Sequence, residues 1–142
     1  LYKGRDGCRA PMQWRNTPHA GFSLAEPWLP VNNNYTKRNV ENQVSDPNSM
    51  LNFTMKLISI RRSTPGLIRG NFTPLTEQPR FILAYERHYE GDRIIVILNF
   101  SSRHLNFELP KGSWTCLLTK NNAFTGKVSM APYQVRILKK KA

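Results

Sequence analysis

Residues 94–98 read Ile94-Ile95-Val96-Ile97-Leu98, an unbroken apolar run in a chain that is 39% hydrophobic overall. A run this short, bounded by polar residues and turn signals, is a strand, and a strand apolar at consecutive positions needs cover on both faces. The chain is therefore expected to place it at the centre of a sheet with packed layers on either side. From Gly70 onward the pattern alternates with period 2. Strands are expected over 71–75, 80–88, 93–100, 105–109, 114–118 and 133–139. Glu90-Gly91-Asp92 should be a short hairpin turn, and Pro110-Lys111-Gly112 and Asn121-Asn122 mark later turns. Strands with short connections read as an antiparallel sandwich.

Upstream, the pattern changes. Asp46 suits a helix N-cap and Pro47 a first helical position, so the main helix is expected to begin there. Leu51, Met55 and Ile58 make one apolar stripe, and Met50, Phe53, Leu57 and Ile60 make another. So wide an arc calls for burial on two sides. Arg61 and Arg62 favour the C-terminal end of the dipole, and Pro65-Gly66 stops the helix. A shorter helix over about 39–44 precedes it.

The stretch Arg5-Asp6-Gly7-Cys8-Arg9-Ala10-Pro11-Met12-Gln13-Trp14 fits neither period. Gly7 and Pro11 forbid a continuous helix, and Pro11 pushes Ala10 into extended geometry. It reads as an ordered loop, and ordering it is costly unless something is recognised there. Residue types alone leave two uses open. Asp6 could staple the loop by accepting from the guanidinium forks of Arg5 and Arg9, or the charges could bind a ligand. Leu1 to Gly4 should be extended at most. From Arg15 to Arg38 the chain is rich in Asn and Pro, and irregular structure is expected. A loop that long usually serves a site or packs along a larger body.

Arg5-Asp6-x-x-Arg9-x-Pro11-Met12-Gln13-Trp14, followed by Ala20-Gly21-Phe22-Ser23, Pro27-Trp28 and Val31-Asn32-x-Asn34-Tyr35, resembles glycoside hydrolase family 13. The branch most similar contains α-glucosidases, oligo-1,6-glucosidases and related sucrose- or trehalose-acting enzymes. The likeness continues through Asn39-Val40-Glu41, Asp46-Pro47-Asn48-Ser49 and Ile60-Arg61-Arg62. It implies a fold that is mainly β with one long helix. Residues 1–69 would be the end of a catalytic (β/α)8 barrel, comprising a substrate-side loop and the last barrel helix. Residues 70–142 would be the C-terminal antiparallel β domain. The family's aspartate nucleophile, glutamate acid/base and second aspartate lie on earlier barrel strands, so they would precede Leu1. Motif matching further implies that Arg9, or else Arg5, holds the subsite carboxylate that binds terminal glucose hydroxyls. Arg9 is preferred, with Asp6 as its orienter, and Gln13 and Trp14 would shape the loop. The family usually carries Asp where this chain has Arg15, a reversal of the local field. Cys8 stands where bacterial relatives often have Cys, which implies a buried free thiol.

The net charge of +12 raises nucleic acid as a partner, but the cations are dispersed apart from Lys139-Lys140-Lys141. No RNA-recognition, zinc-finger or helix-turn-helix signature is present, so nucleic acid is an unfavoured partner. No run of 18 apolar residues and no signal peptide occur, which points to a cytoplasmic chain without a membrane partner. Neither cysteine has metal spacing, and no metal or cofactor is expected.

A retaining glycosidase needs two carboxylates roughly 5–5.5 Å apart, one of them kept protonated. Arg5 and Arg9 would hold Asp6 ionised, making it a poor acid. Glu26 and Glu41 have no evident pairing, and His19, His88 and His104 are scattered. The chain alone is expected to be inactive. Its partners would be α-linked glucosides once a barrel is supplied, and copies of itself through the exposed barrel-facing surface. Phe22, Trp28, Leu29 and Tyr35 could lie on that surface, although core packing is the plainer role for them. The alternatives are a non-catalytic carbohydrate-binding or protein-interaction module, including a piece like the ectodomain of transporter heavy chains, and, more remotely, a basic nucleic-acid-binding domain.

Overall fold

A computed structural model describes residues 4–75, 79–119 and 123–141. The expected turn at Asn121-Asn122 and the first three residues of the extended start lie outside the described residues. The chain divides into two compact units, residues 1–56 and 57–142, and the division falls within the main helix.

The second unit contains strands β1 (Asn71–Pro74), β2 (Ile82–Tyr89), β3 (Asp92–Asn99), β4 (Leu105–Glu108), β5 (Trp114–Cys116), β6 (Ala123–Phe124), β7 (Lys127–Met130) and β8 (Val135–Lys140). Six of them form one sheet in the order β1-β2-β3-β8-β5-β6, and β4 pairs with β7 in a second sheet. The pairings are antiparallel. The apolar run lies in β3, between β2 and β8, and its residues point alternately to opposite faces. Ile95 and Ile97 join Phe107, Trp114, Met130 and Leu138 in one core, which is the sandwich interior. Ile94 and Val96 join Ile60, Leu67 and Ile137 in a core on the other face. Continuous hydrophobicity thus reflects two distinct layers on one strand. Trp114 is fully buried, and its indole Nε1–H donates to the carbonyl of Pro110 at 3.0 Å.

Two strands escaped the sequence reading. β6 has two residues, and β7 is a four-residue alternation following directly on Gly126. Neither gives a long enough period to register. The hairpin turn appears as expected, with Tyr89 opposite Asp92 across Glu90-Gly91.

Helix α1 spans Val40–Ser45, α2 spans Met50–Ser63 and α3 spans Pro65–Arg69. The start of α2 differs from expectation. Ser49 provides its cap, its hydroxyl accepting from the Asn52 N–H at 3.1 Å. Asp46 instead closes a turn, accepting from the Asn48 N–H at 2.9 Å. A short side chain that can satisfy either geometry goes where the backbone turns first. Pro65 stops α2 as expected, but it then opens α3, where its missing N–H costs nothing. Gly66 in α3 is required by packing. A Cβ there would stand 2.6 Å from Ile94 Cδ1 and 3.0 Å from Asp92 Cβ. Burial of α2 is one-sided: Ile60 is buried and Leu57 partly so, while Met50, Met55 and Ile58 are exposed. Within the described residues only the Leu57–Ile60 end of one stripe is covered, while Met50 and Phe53 of that stripe and Met55 and Ile58 of the other stay exposed.

The first unit is irregular, as expected between Arg15 and Arg38. Short 3-10 turns occupy Asp6–Cys8, Pro18–Gly21 and Asn33–Thr36. Polar side chains do much of the work of holding it. Buried Asn39 caps α1 by accepting from the Asn42 N–H at 2.8 Å and donates to the Tyr35 carbonyl at 2.8 Å. The Gln43 main-chain carbonyl accepts from the Ser49 hydroxyl at 2.7 Å, and the Gln43 side-chain Oε1 accepts from the Leu51 N–H at 3.0 Å. Amide side chains carry both donors and acceptors, so they can close irregular backbone that has no ladder partner.

Candidate functional site

The motif stretch Arg5–Trp14 begins as a turn. Cys8 N–H donates to the Arg5 carbonyl and Arg9 N–H to the Asp6 carbonyl, both at 3.0 Å. This places Arg5 and Arg9 on the flanks of the turn, both exposed, with Asp6 half-buried between them. Asp6 lines an open cleft of about 360 Å³ with Gly7, Ala10, Leu29, Val31 and Asn32. No second carboxylate stands among the lining residues.

The salt-bridged staple is not formed. Among the described residues the ion pairs are Arg93–Glu86 and Lys139–Asp92, so Asp6 is paired with neither arginine. Exposed guanidinium groups lose little by staying hydrated, because a surface pair is worth only about 0–1 kcal/mol. Cys8 is exposed within the turn, contrary to the buried thiol expected, and the buried thiol is Cys116; both are free. A residue at the middle of an exposed turn has no apolar layer to enter.

What fixes the loop is Gln13. Its Nε2 donates to Asn34 Oδ1 at 2.9 Å and also to the Arg38 carbonyl. Its own carbonyl accepts from Val40 N–H at 3.0 Å, and the Trp14 carbonyl accepts from Glu41 N–H at 3.0 Å. The Trp14 and Arg15 N–H groups converge on the Ala20 carbonyl at 2.9 and 3.1 Å. The motif's second half is thereby tied to residues 20 and 34–41, the very segments that follow it in the resemblance. Arg15 runs beside Gly21, where an added Cβ would lie 2.6 Å from Arg15 Cγ. The far wall of the cleft, Leu29 to Asn33, was not singled out as lining residues. The Asn32 side chain accepting from Asn34 N–H at 3.2 Å shapes that wall, and Asn-x-Asn was its signal. Of the aromatics, Phe22 and Trp28 are exposed and Tyr35 is half-buried, while Leu29 is buried.

Residues 2–70 match the alpha amylase, catalytic domain model, and residues 72–137 match the maltogenic amylase, C-terminal domain model. This chain belongs to glycoside hydrolase family 13. It is 38% identical to an oligo-1,6-glucosidase of Halalkalibacterium halodurans, over 95% of this chain and 26% of that protein. It is 32% identical to an alpha-glucosidase of Schizosaccharomyces pombe, over 96% of this chain and 25% of that protein. Among solved structures, the trehalulose synthase of Pseudomonas mesoacidophila superposes with a TM-score of 0.83 at 34% identity. The isomaltulose synthase of a Klebsiella species gives 0.83 at 29% identity; each alignment covers 97% of this chain and 26% of the other. The chain spans about a quarter of the length of the curated relatives it matches. As a family 13 chain it holds the end of the catalytic domain followed by the C-terminal β domain, a mainly antiparallel structure with one main helix. No cluster of three or more metal-ligating side chains occurs among the described residues, and no helix there is long and apolar enough to cross a membrane.

Proposed function

We propose that this chain serves the hydrolysis of α-glucosidic bonds in oligosaccharides as the terminal part of an α-glucosidase, and that it is inactive alone. Residues 1–69 close the barrel and residues 70–142 shield it. The observation that carries this reading is the cleft at Asp6, which holds one carboxylate where retaining glycosidase chemistry needs two. Other carboxylates have structural partners: Asp46 accepts from Asn48, Glu86 pairs with Arg93 and Asp92 with Lys139. The catalytic pair comes from sequence outside these residues, and this chain contributes substrate binding. Arg9 holds a sugar-binding carboxylate supplied by the barrel, with Arg5 as the alternative, and Asp6, which pairs with neither arginine here, orients Arg9 only once the barrel is in place. The exposure of Arg5 and Arg9 in the isolated chain agrees with a surface that awaits its other half. The uncovered apolar side chains of α2 give the isolated chain a reason to self-associate.

The test has two arms. The purified chain should not hydrolyse a chromogenic α-glucoside, and its molar mass in solution should exceed that of a monomer. Joined to the preceding three quarters of the Halalkalibacterium halodurans oligo-1,6-glucosidase, it should restore turnover, and Arg9→Ala and Asp6→Asn should each lower kcat/KM of that hybrid. Turnover by the chain alone, lost on Asp6→Asn, would refute the reading.

A further inference from the structure

A second cleft opens in the β domain, at the end of the sheet where β2 begins, β3 ends and β8 begins. It has a volume of about 510 Å³ and is lined by Arg80, Phe81, Phe100, Ser101, Arg103 and Tyr133. That volume is within the range of roughly 300–1,000 Å³ typical of small-ligand sites. Three aromatic side chains face solvent here: Phe81 is 52% exposed, Phe100 61% and Tyr133 73%. Large rings exposed together around a concavity are costly to leave wet.

The cleft is built rather than incidental. Phe81 and Tyr133 both have left-handed backbone, with φ of 73° and 54°. An aromatic residue pays for that conformation, and such outliers persist only where surrounding structure enforces them. At the centre of the neighbouring loops lies Asn99, which is 3% exposed. Its Nδ2 donates to the carbonyls of Arg103 at 2.8 Å and Ala131 at 2.9 Å, and its Oδ1 accepts from the Ser101 N–H at 2.9 Å. Phe100 N–H then donates to the Phe81 carbonyl at 2.8 Å, and Tyr133 N–H to the Ser101 carbonyl at 3.1 Å. One buried amide thus ties residues 101–103 to residues 130–131, and main-chain bonds join Phe81 and Tyr133 to that framework.

We propose that this cleft binds an α-glucan oligosaccharide. The proposal rests on the α-glucosidase reading for its ligand class. A pyranose offers apolar C–H faces and a rim of hydroxyl groups, so it needs ring faces together with directional donors and acceptors. Phe81, Phe100 and Tyr133 supply the faces. Arg103 supplies a polar group at the rim, and a guanidinium fork spans two neighbouring hydroxyl oxygens. The Arg80 guanidinium lies over the Phe81 ring, 5.0 Å from its centroid, which stiffens both side chains before any ligand arrives. No lysine lines the cleft and Arg80 is engaged with the Phe81 ring, which leaves Arg103 as the one guanidinium among the described lining residues free to face a ligand, so a neutral ligand fits better than an anionic polymer.

The positive φ values supply clean variants. Phe81→Gly and Tyr133→Gly delete a ring where glycine is the easiest residue to accommodate, so both should fold with unchanged or raised Tm. The 142-residue chain is titrated with maltotriose and isomaltotriose and followed by NMR. Saturable shifts at the cleft are expected. Each variant should weaken binding at least about tenfold, equivalent to ~1.4 kcal/mol, and Arg103→Ala should weaken it as well. Absence of saccharide binding to the folded chain, or binding that survives both glycine variants, would overturn the proposal. Binding of a single-stranded oligothymidylate that both variants abolish would overturn it too, by giving the rings to nucleic acid. The hybrid-enzyme turnover test stands apart from all of these outcomes, so failure at the cleft leaves the α-glucosidase reading to be judged by that test.

Discussion

Replacing Asn99 by alanine should be among the most damaging single changes in the β domain. The side chain is almost fully buried and offers bonds to five groups. An amide NH2 has two hydrogens, so the bonds to Arg103 and Ala131 are the substantial donations and the 3.3 Å approach to the Met130 carbonyl is shared. Counting those two with the bonds from the Ser101 N–H and hydroxyl gives four, and four part-buried bonds at about 1 kcal/mol each cost about 4 kcal/mol. For a unit of this size each kcal/mol moves Tm by about 4–8 °C, so the loss is on the order of 15–30 °C. The assay is thermal unfolding of the chain followed by far-ultraviolet circular dichroism. Asn99→Asp sharpens the test. It keeps the shape but aims a carboxylate at main-chain carbonyls, so the folded state prefers the protonated form and that group's folded pKa lies above its unfolded value. Its stability should therefore be greatest at acid pH and decline as pH rises through the folded pKa. An Asn99→Ala protein melting within a few degrees of the parent, or an Asn99→Asp protein with no such decline, would refute the claim that this amide organises the loops.

Three further outcomes are expected. Ser49→Ala should lower stability by about 0.5–2 kcal/mol through loss of the α2 cap, and Asp46→Ala by less, measured by urea denaturation. Gly66→Ala should destabilise despite a helix-propensity gain of about 1 kcal/mol, because the added methyl meets Ile94 Cδ1 at 2.6 Å; a higher urea midpoint would count against that packing. The Lys139 ammonium, seconded by the Gly66 N–H, holds the Asp92 carboxyl below its ordinary value of 3.8 despite an opposing effect of burial. That contribution is fully present above the unfolded pKa and disappears as pH falls through the folded one, so Asp92→Asn should flatten the acid limb of the stability–pH curve.

The centre of this fold was legible because β3 states its position twice. An unbroken apolar run can be satisfied only by two covering layers, and Ile95 and Ile94 indeed enter different cores. The main helix was legible in its extent but not at its start, since Asp46 and Ser49 can each cap and only the local turn decides between them. β6 and β7 were hidden because two to four residues carry too little period to separate strand from loop. At the candidate site, the motif led to Asp6 beside a cleft and to Gln13 as the loop's clip. The expected Arg5–Asp6–Arg9 staple failed because charge proximity in sequence says nothing about which groups stay hydrated. The aromatic cleft could not have been found from spacing. Phe81, Phe100 and Tyr133 are far apart in sequence, and their meeting depends on the pairing of β2, β3 and β8.

The boundary between the two family-model matches and the boundary between the compact units do not coincide, and the residues between them explain why. The catalytic-domain match runs to residue 70, whereas the compact β unit begins at Leu57. Residues 57–69 carry Ile60 and Leu67, which cover Ile94, Val96 and Ile137 on the outer face of the sheet, with Leu57 packed beside them. The end of α2, α3 and the sheet thus belong to one compact unit, even though the family models assign them to different domains. Burying an aliphatic side chain is worth about 1.5–3 kcal/mol, so uncovering those three costs roughly 5–9 kcal/mol. That is comparable to the whole stability of a typical domain, about 5–15 kcal/mol. A chain starting at Leu57 should therefore unfold cooperatively, while one starting at Phe72 should bind a hydrophobic dye and lack a sharp thermal transition. If both melt alike, the helix merely rests on the sheet, and the apolar run in β3 owes its continuity to something other than a second layer.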